Sequence, residues 1–364
     1  MSTNGVGMGH LAGTLGIGRR LDRDDLQPVF LTLSQAAPVV AEQGFLGEYL
    51  PFHGYLRCDN RRWNLFLRHE LDECIAFYRP GVLVFDGMMP YRGLIDAIGA
   101  HPDLRSLWVR HAMWRHDAEE HGLKRERHFD AVIEPDELAA AVDAGPTRRY
   151  RDRTHAVAPL RFLDEDELPP REEARRELGL GEADTAALIQ LGSGTNFDVS
   201  AVRERAVRHL LRRGARVVLA EWLIADSTPA QPPGVTVLRT FPLGRFLRAF
   251  DFAVSAAGHG AYHELLLAGI PTLFVPNENP LMDDQFGRAR YAEGRGLGLC
   301  VRASDLEPLE PRLDVLLRAA ERDRLRDAMG RLRRGSGAAE AARLIERFAG
   351  ARTAPRGRSF CHSG

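Results

Sequence analysis

The chain has almost no lysine: Lys124 stands alone, and every other basic residue is arginine. With abundant alanine and glycine, that replacement reads as GC-rich coding, as in a high-GC bacterium, and carries no functional information. Cysteine is scarce too. Cys58, Cys74, Cys300 and Cys361 are widely separated with no C-x-x-C pair. That argues against a disulfide framework or a zinc site and makes a reducing cytoplasm the expected compartment. Net charge is missing, with 49 basic residues against 50 acidic, so no global basic field points to nucleic acid. No apolar window approaches the roughly 18 residues of a membrane span. No charged stretch followed by an apolar core opens the chain, as a secretory signal would.

What is present is ordinary globular composition, 44% hydrophobic and 27% charged, which excludes a disordered or fibrous chain. A length of 364 residues implies two domains, since one core rarely grows past about 250–300 residues. Short apolar runs alternate with helical patterns, which predicts α/β domains with parallel sheets. Strands are expected at 28–33, 82–85, 106–109 and 131–133, with helices at 10–21, 62–79 and 91–100. The pattern breaks after Ile133, and the Arg-rich and acidic stretch with Pro169-Pro170 reads as a linker. Alternation restarts with strands at 186–191, 216–220, 235–238, 252–255 and 272–275. Helices follow at 200–213, 261–267, 285–293 and 336–348. The expected division is 1–150, linker 151–173, 174–350, and a disordered tail at 351–364. Only four residues precede the loop at Gly5, where a strand of about five is expected. A clipped strand and a misassigned start both fit, and the second is the expectation.

The loop Asn4-Gly5-Val6-Gly7-Met8-Gly9-His10 opens a helix carrying Leu11, Leu15 and Leu21. Glycines at such a turn permit close backbone approach to a ligand. Gly7, Met8 and Gly9 would face the substrate, and a histidine at position 10 suits a general base because an unperturbed imidazole has a pKa of roughly 6.5. Asp86, at the end of the run Val82–Phe85, is placed to orient it. A plain glycine turn with a surface histidine, and an aspartate capping the next turn, are the alternatives. In the second half, one strand runs into Gly192-Ser193-Gly194-Thr195, and another into Ser255-Ala256-Ala257-Gly258-His259-Gly260-Ala261-Tyr262-His263-Glu264. Main-chain amides at Gly258–Ala261 would begin a helix and attract a diphosphate. Glu264, one turn on, can accept from a ribose diol. Asp284 and Gln285, in Met282-Asp283-Asp284-Gln285, can bind sugar hydroxyls.

This order of motifs, with Gly269-Ile270-Pro271 between them, resembles the GT-B glycosyltransferases, nearest the family 28 branch. The resemblance implies two Rossmann-like domains facing a deep cleft, acceptor on the first and donor on the second. It implies inverting, metal-independent transfer from a nucleotide-diphosphate sugar, usually uridine-linked, to an acceptor hydroxyl, with no cofactor. His10 would be the base. Gly192, Ser193, Gly194 and Thr195 with Gly258, His259, Gly260 and Ala261 would hold the diphosphate. Glu264 would hold the ribose, Asp284 and Gln285 the sugar, and Phe241 the base. In plant and animal relatives a His-Cys-Gly-Trp-Asn-Ser string stands here. Ala256, Gly260 and Ala261 replace its His, Asn and Ser, so phosphate binding leans on amides. His263 is expected to face solvent. An epimerase or hydrolase of the same fold and a non-catalytic sugar-nucleotide-binding protein are the competing readings.

Two other signals carry less. Asp164-Glu165-Asp166 imitates a D-x-D metal motif but sits beside Pro169-Pro170, so it reads as a solvated acidic run. Trp63 and Phe66 beside Arg61, Arg62 and Arg68, and Trp114 with its basic neighbours, suit either a core stripe or peripheral contact with anionic lipid.

Overall fold

The computed structural model describes residues 1–3, 8–118, 120–192, 197–221, 233–332 and 335–350. Gly7, Ser193, Gly194, Thr195 and the expected tail at 351–364 lie outside the described residues. Short β-branched and leucine-rich runs form the strands β1 (Val29–Thr32), β2 (Leu46–Tyr49), β3 (Val82–Asp86), β4 (Arg105–Val109), β5 (Ala131–Pro135) and β6 (Thr154–Val157). A second set is β7 (Ala186–Gln190), β8 (Arg216–Ala220), β9 (Val235–Leu238), β10 (Phe252–Ser255), β11 (Thr272–Phe274) and β12 (Leu299–Cys300). Helices α1 (Gly9–Gly18), α2 (Pro38–Glu42), α3 (His53–Leu56), α4 (Asn60–Tyr78) and α5 (Arg92–Ala100) belong to the first half. They are followed by α6 (Arg171–Glu177), α7 (Ser200–Arg212), α8 (His259–Leu267), α9 (Gln285–Gly294), α10 (Leu309–Leu317), α11 (Ala319–Met329) and α12 (Gly337–Gly350).

The second sheet has the order β9-β8-β7-β10-β11-β12, all parallel. That is the doubly wound 3-2-1-4-5-6 order of a Rossmann-like domain. The first half repeats the scheme. Ser2 bridges Thr32 of β1 on one side and Asp86 of β3 on the other. Met1–Thr3 thus fills the strand position between β1 and β3, joining β2-β1 to β3-β4-β5-β6. Helices cover both faces, so the central strands are apolar along their length: Phe85, Leu107, Trp108, Val109 and Ile133 are fully buried.

The chain between the sheets is more structured than the sequence suggests. The expected linker contributes β6, which pairs with β5 from Thr154 to Val157. Asp164 is no free acid: it accepts from Arg20 at 2.7 Å and from Ser336 at 2.5 Å. The last helix, α12, follows the second sheet in sequence but packs on the first. Its Ala338, Ala341, Ala342 and Ile345 share a core with Ile17, Leu107 and Ile133. The two tryptophans considered for lipid contact are core residues. Trp63 is 1% and Trp114 3% exposed, and the Trp63 indole donates to the Pro51 carbonyl at 2.9 Å.

One buried cluster ties the halves together. Glu137, just past β5, accepts from Arg288 of α9 at 2.8 Å and lies 3.4 Å from both His259 and His263 of α8. Arg288 also pairs with Asp283. His263 is fully buried, not solvent-facing. Its Nδ1 bonds the His259 carbonyl at 2.7 Å, and its Nε2 accepts from the Leu138 amide at 3.1 Å. Burial alone would favour a neutral Glu137, but Arg288, then His263 and His259, hold its pKa well below the usual carboxylate range.

Removing one partner of this cluster strands a buried charge. Glu137→Ala is expected to cost about 3–5 kcal/mol in urea unfolding at pH 7, and the pair Glu137→Ala with Arg288→Met less than Glu137→Ala alone. Because the Glu137 pKa is depressed, its contribution is complete above its ordinary 4.5 and is lost as pH falls through the folded value, so mutant and wild type converge in acid. The seating of α12 has its own test. A Cβ on Gly337 would lie 1.7 Å from the Ala158 carbonyl oxygen. Gly337→Ala should therefore lower stability by about 1–3 kcal/mol, and an unchanged melting temperature would mean that α12 docks loosely.

Candidate active site

In doubly wound sheets, ligands bind beyond the carboxyl ends of the strands where the strand order reverses, because the adjacent loops diverge there and leave a crevice. In the first sheet that point lies between Met1–Thr3 and β3, at Met8–His10 and Asp86. In the second it lies between β7 and β10, at Gln190–Gly192 and Ala256–Ala261. The two points face each other across one cavity of about 360 Å³, whose wall includes His10, His111, Phe241, Gly258, His259 and Glu264.

On the first side, His10 Nδ1 donates to Asp86 Oδ1 at 2.6 Å. Asp86 is fully buried, while the His10 side chain keeps 20% of its surface exposed. Burial disfavours the imidazolium, yet the Asp86 charge and hydrogen bond outweigh it and, with Asp283 farther off, raise the His10 pKa above 6.5. Burial would likewise raise the Asp86 pKa, but His10 and His111 hold it well below the ordinary range. A second imidazole shares the carboxylate: His111 Nε2 lies 3.1 Å from the same Oδ1. Met8 and Gly9 line the cavity at the start of α1.

On the second side, Gly258 is the N-cap of α8, which has no side-chain capping hydrogen bond among the described residues. The amides of His259, Gly260 and Ala261 are therefore left with the orphan donors and positive dipole of a helix start, and all three residues line the cavity. Gly192, at φ +83 after β7, lies opposite in the same wall. Glu264 reaches the cavity one turn into α8. Burial, partly offset by Arg161, raises its pKa to about 7. Gly244 is needed beside it, since a Cβ there would come within 2.6 Å of Glu264 Oε1.

The remaining expected residues divide. Phe241 lines the cavity and packs edge-on against Phe162 with 4.7 Å between ring centroids. Gln285 lines it too, its Oε1 accepting from the Asn277 amide at 3.0 Å. Asp284 is engaged elsewhere, since its Oδ1 caps α9 by accepting from the Gly287 amide at 2.8 Å. The neighbouring Asp283 takes the place in the wall.

Among the described residues, two trios could offer three close donor atoms to a cation: His10, Asp86 and His111, and Glu137, His259 and His263. The first is joined by hydrogen bonds through Asp86 Oδ1. In the second, Arg288 already supplies the positive charge at Glu137. Sequence reasoning missed His111, Glu137, Asp283 and Arg288. His111 and Glu137 each stand two residues past a strand, so the strand-end rule that selected Asp86 would have found both. Nothing local marks Arg288, which sits mid-face on a helix.

Residues 234–345 match the glycosyltransferase family 28 C-terminal domain. Over 201 residues the chain is 32% identical to the UDP-N-acetylglucosamine--N-acetylmuramyl-(pentapeptide) pyrophosphoryl-undecaprenol N-acetylglucosamine transferase of Symbiobacterium thermophilum, covering 52% of this chain and 54% of that protein. The chain thus matches about half the length of that curated relative. The MurG protein of Acinetobacter baumannii superposes with a TM-score of 0.62 at 15% identity, over 95% of this chain and 98% of that one. A spinosyn rhamnosyltransferase solved with thymidine diphosphate gives 0.58 at 17% identity, over 95% and 99%. At such identities the superpositions establish the architecture, and the family match is confined to residues 234–345. The chain has the GT-B fold of two Rossmann-like domains, and within the second of them residues 234–345 match the family 28 glycosyltransferase C-terminal domain.

Proposed function

We propose that the protein transfers a sugar from a nucleotide diphosphate, with uridine the expected base, to an acceptor hydroxyl, with inversion and without a metal ion. The observation that carries this reading is the His10–Asp86 pair facing the uncapped start of α8 across one cavity. His10 Nδ1 is held by Asp86, and Nε2 has no protein partner among the described residues. The acceptor hydroxyl gives its proton to Nε2 as its oxygen bonds the anomeric carbon. The bond from that carbon to the diphosphate breaks on the opposite face, and the leaving oxygen takes the electron pair. Asp86 balances the imidazolium, and the α8 amides with the helix dipole meet the developing phosphate charge.

Donor placement follows from the same wall. Glu264 accepts from the ribose diol, Phe241 lies along the base, and Gln285 with Asp283 faces the sugar. Similarity to a transferase of UDP-N-acetylglucosamine and to a rhamnosyltransferase solved with thymidine diphosphate supports a nucleotide-diphosphate donor. No described helix is long and apolar enough to cross a membrane. Peripheral contact with anionic lipid, if the acceptor is lipid-linked, would fall to Leu65, 68% exposed, and Phe66, 38% exposed. Exposed Arg61 and Arg62 lie one turn earlier on α4.

A thermal-shift screen of nucleotide-diphosphate sugars should identify the donor, and nucleotide release with and without acceptors then tests transfer. His10→Ala is expected to reduce kcat/KM by roughly 10²–10⁴, and full transfer by that variant would remove the base assignment. A base must be unprotonated, and the His10 pKa is raised. The kcat/KM of the wild type should therefore climb with pH through a midpoint above 6.5. Leu65→Glu with Phe66→Glu is expected to abolish sedimentation with anionic vesicles at low salt. Vesicles that never bind the wild type would rule out membrane contact.

A further inference from the structure

Asp86 serves two imidazoles with one oxygen. His10 Nδ1 and His111 Nε2 both point at Oδ1, at 2.6 and 3.1 Å, while the buried Oδ2 has no partner among the described residues. An ionised carboxylate has acceptor sites for about four donors, and here the two histidines converge on a single atom. Since Oδ1 can only accept, His111 carries its hydrogen on Nε2. Its Nδ1 is buried with no partner among the described residues.

From this geometry we infer that His111 is a positioning residue for the catalytic base, orienting Asp86 and moderating the basicity it confers on His10. The inference rests on the reading of His10 as base. The χ2 torsion of aspartate is broad and roughly two-fold, so one hydrogen bond to His10 leaves the carboxylate free to swing. A second donor from β4's end fixes which oxygen faces His10. That donor also draws on the charge of Oδ1, so His10 is bound to a weaker acceptor than an unshared carboxylate would be. His111 is itself held from the second domain, its ring edge-on to His259 with 4.6 Å between centroids. His259 stands beside Glu137. The base is therefore connected, ring to ring, with the cluster that joins the domains.

The charged and titratable groups around this trio come from several elements. Asp283, before α9, raises the His10 pKa beside Asp86. The Met1 amino group interacts with Asp86. His259 of α8 faces His111, and Glu137, His263 and Arg288 lie behind it. None of them donates a hydrogen bond to Asp86 Oδ1, which leaves His111 as the group whose removal alters that acceptor directly.

The test is a histidine titration by nuclear magnetic resonance on the full chain labelled with ¹⁵N-histidine. The His10 signal, one of 13 histidines, is identified by its loss in His10→Gln. His111→Phe keeps the volume and removes the donor, and should raise the His10 pKa by roughly half a unit to one unit. His111→Gln returns an N–H near the Nε2 position without a titrating ring, and should restore the wild-type value. If the Phe variant does not fold, His111→Leu replaces it. An unchanged His10 pKa in the donor-free variant overturns the inference, as does a Gln variant displaced as far as the Phe variant. The underlying reading fails separately, through full donor turnover by His10→Gln, because the titration needs no turnover.

Discussion

The relative placement of the two domains depends on one buried carboxylate. Glu137 leaves the first sheet and is neutralised by Arg288, with His259 and His263 beside it, all from the second. Neither half can bury its share alone. Without Glu137, Arg288, 0% exposed in the structure, would keep only Asp283 as a counter-ion. The attraction is strong because the cluster is dry, and its geometry is strict for the same reason. That strictness sets the distance across the cavity and keeps the start of α8 opposite His10.

Both walls of the cavity use the same device. A doubly wound sheet ends its central strands at a fork, and the loops there are free to carry polar groups that the strands cannot. On one side the fork offers a carboxylate and two imidazoles, groups able to exchange a proton. On the other it offers main-chain amides at a helix start, which meet negative charge. The domains differ in what each fork holds, with sheets otherwise alike in order and direction.

Much of the scaffold was legible in sequence. β8 and β10 fall on their expected residues, because buried central strands read as apolar runs between helical patterns, and the edge strand β9 does so too. The weaker elements were not. β2 is largely exposed, β6 is half exposed, and β12 has two residues, so none gives a clear alternation or apolar run. Those edge strands are specified by pairing with a neighbour. The aromatic stripe at Trp63 was ambiguous for a related reason. A helix face that buries a tryptophan under Phe52 and Tyr91 has the same spacing as one that meets a membrane, and only packing separates them.

The sequence by itself determined the alternation of strand and helix, the glycine turns, and the local motifs that place His10 and Gly258 at helix starts and Glu264 one turn into α8. These are short-range consequences of periodicity and backbone freedom. Tertiary structure alone decided which side chains meet. His111 lies 25 residues from Asp86 and Glu137 lies 151 from Arg288, and no local pattern encodes such partnerships. It also decided that α12 returns to the first sheet, that Asp283 lines the cavity, and that His263 is buried. Each outcome turns on burial of charge or volume between segments far apart in the chain, a quantity defined only once they are packed.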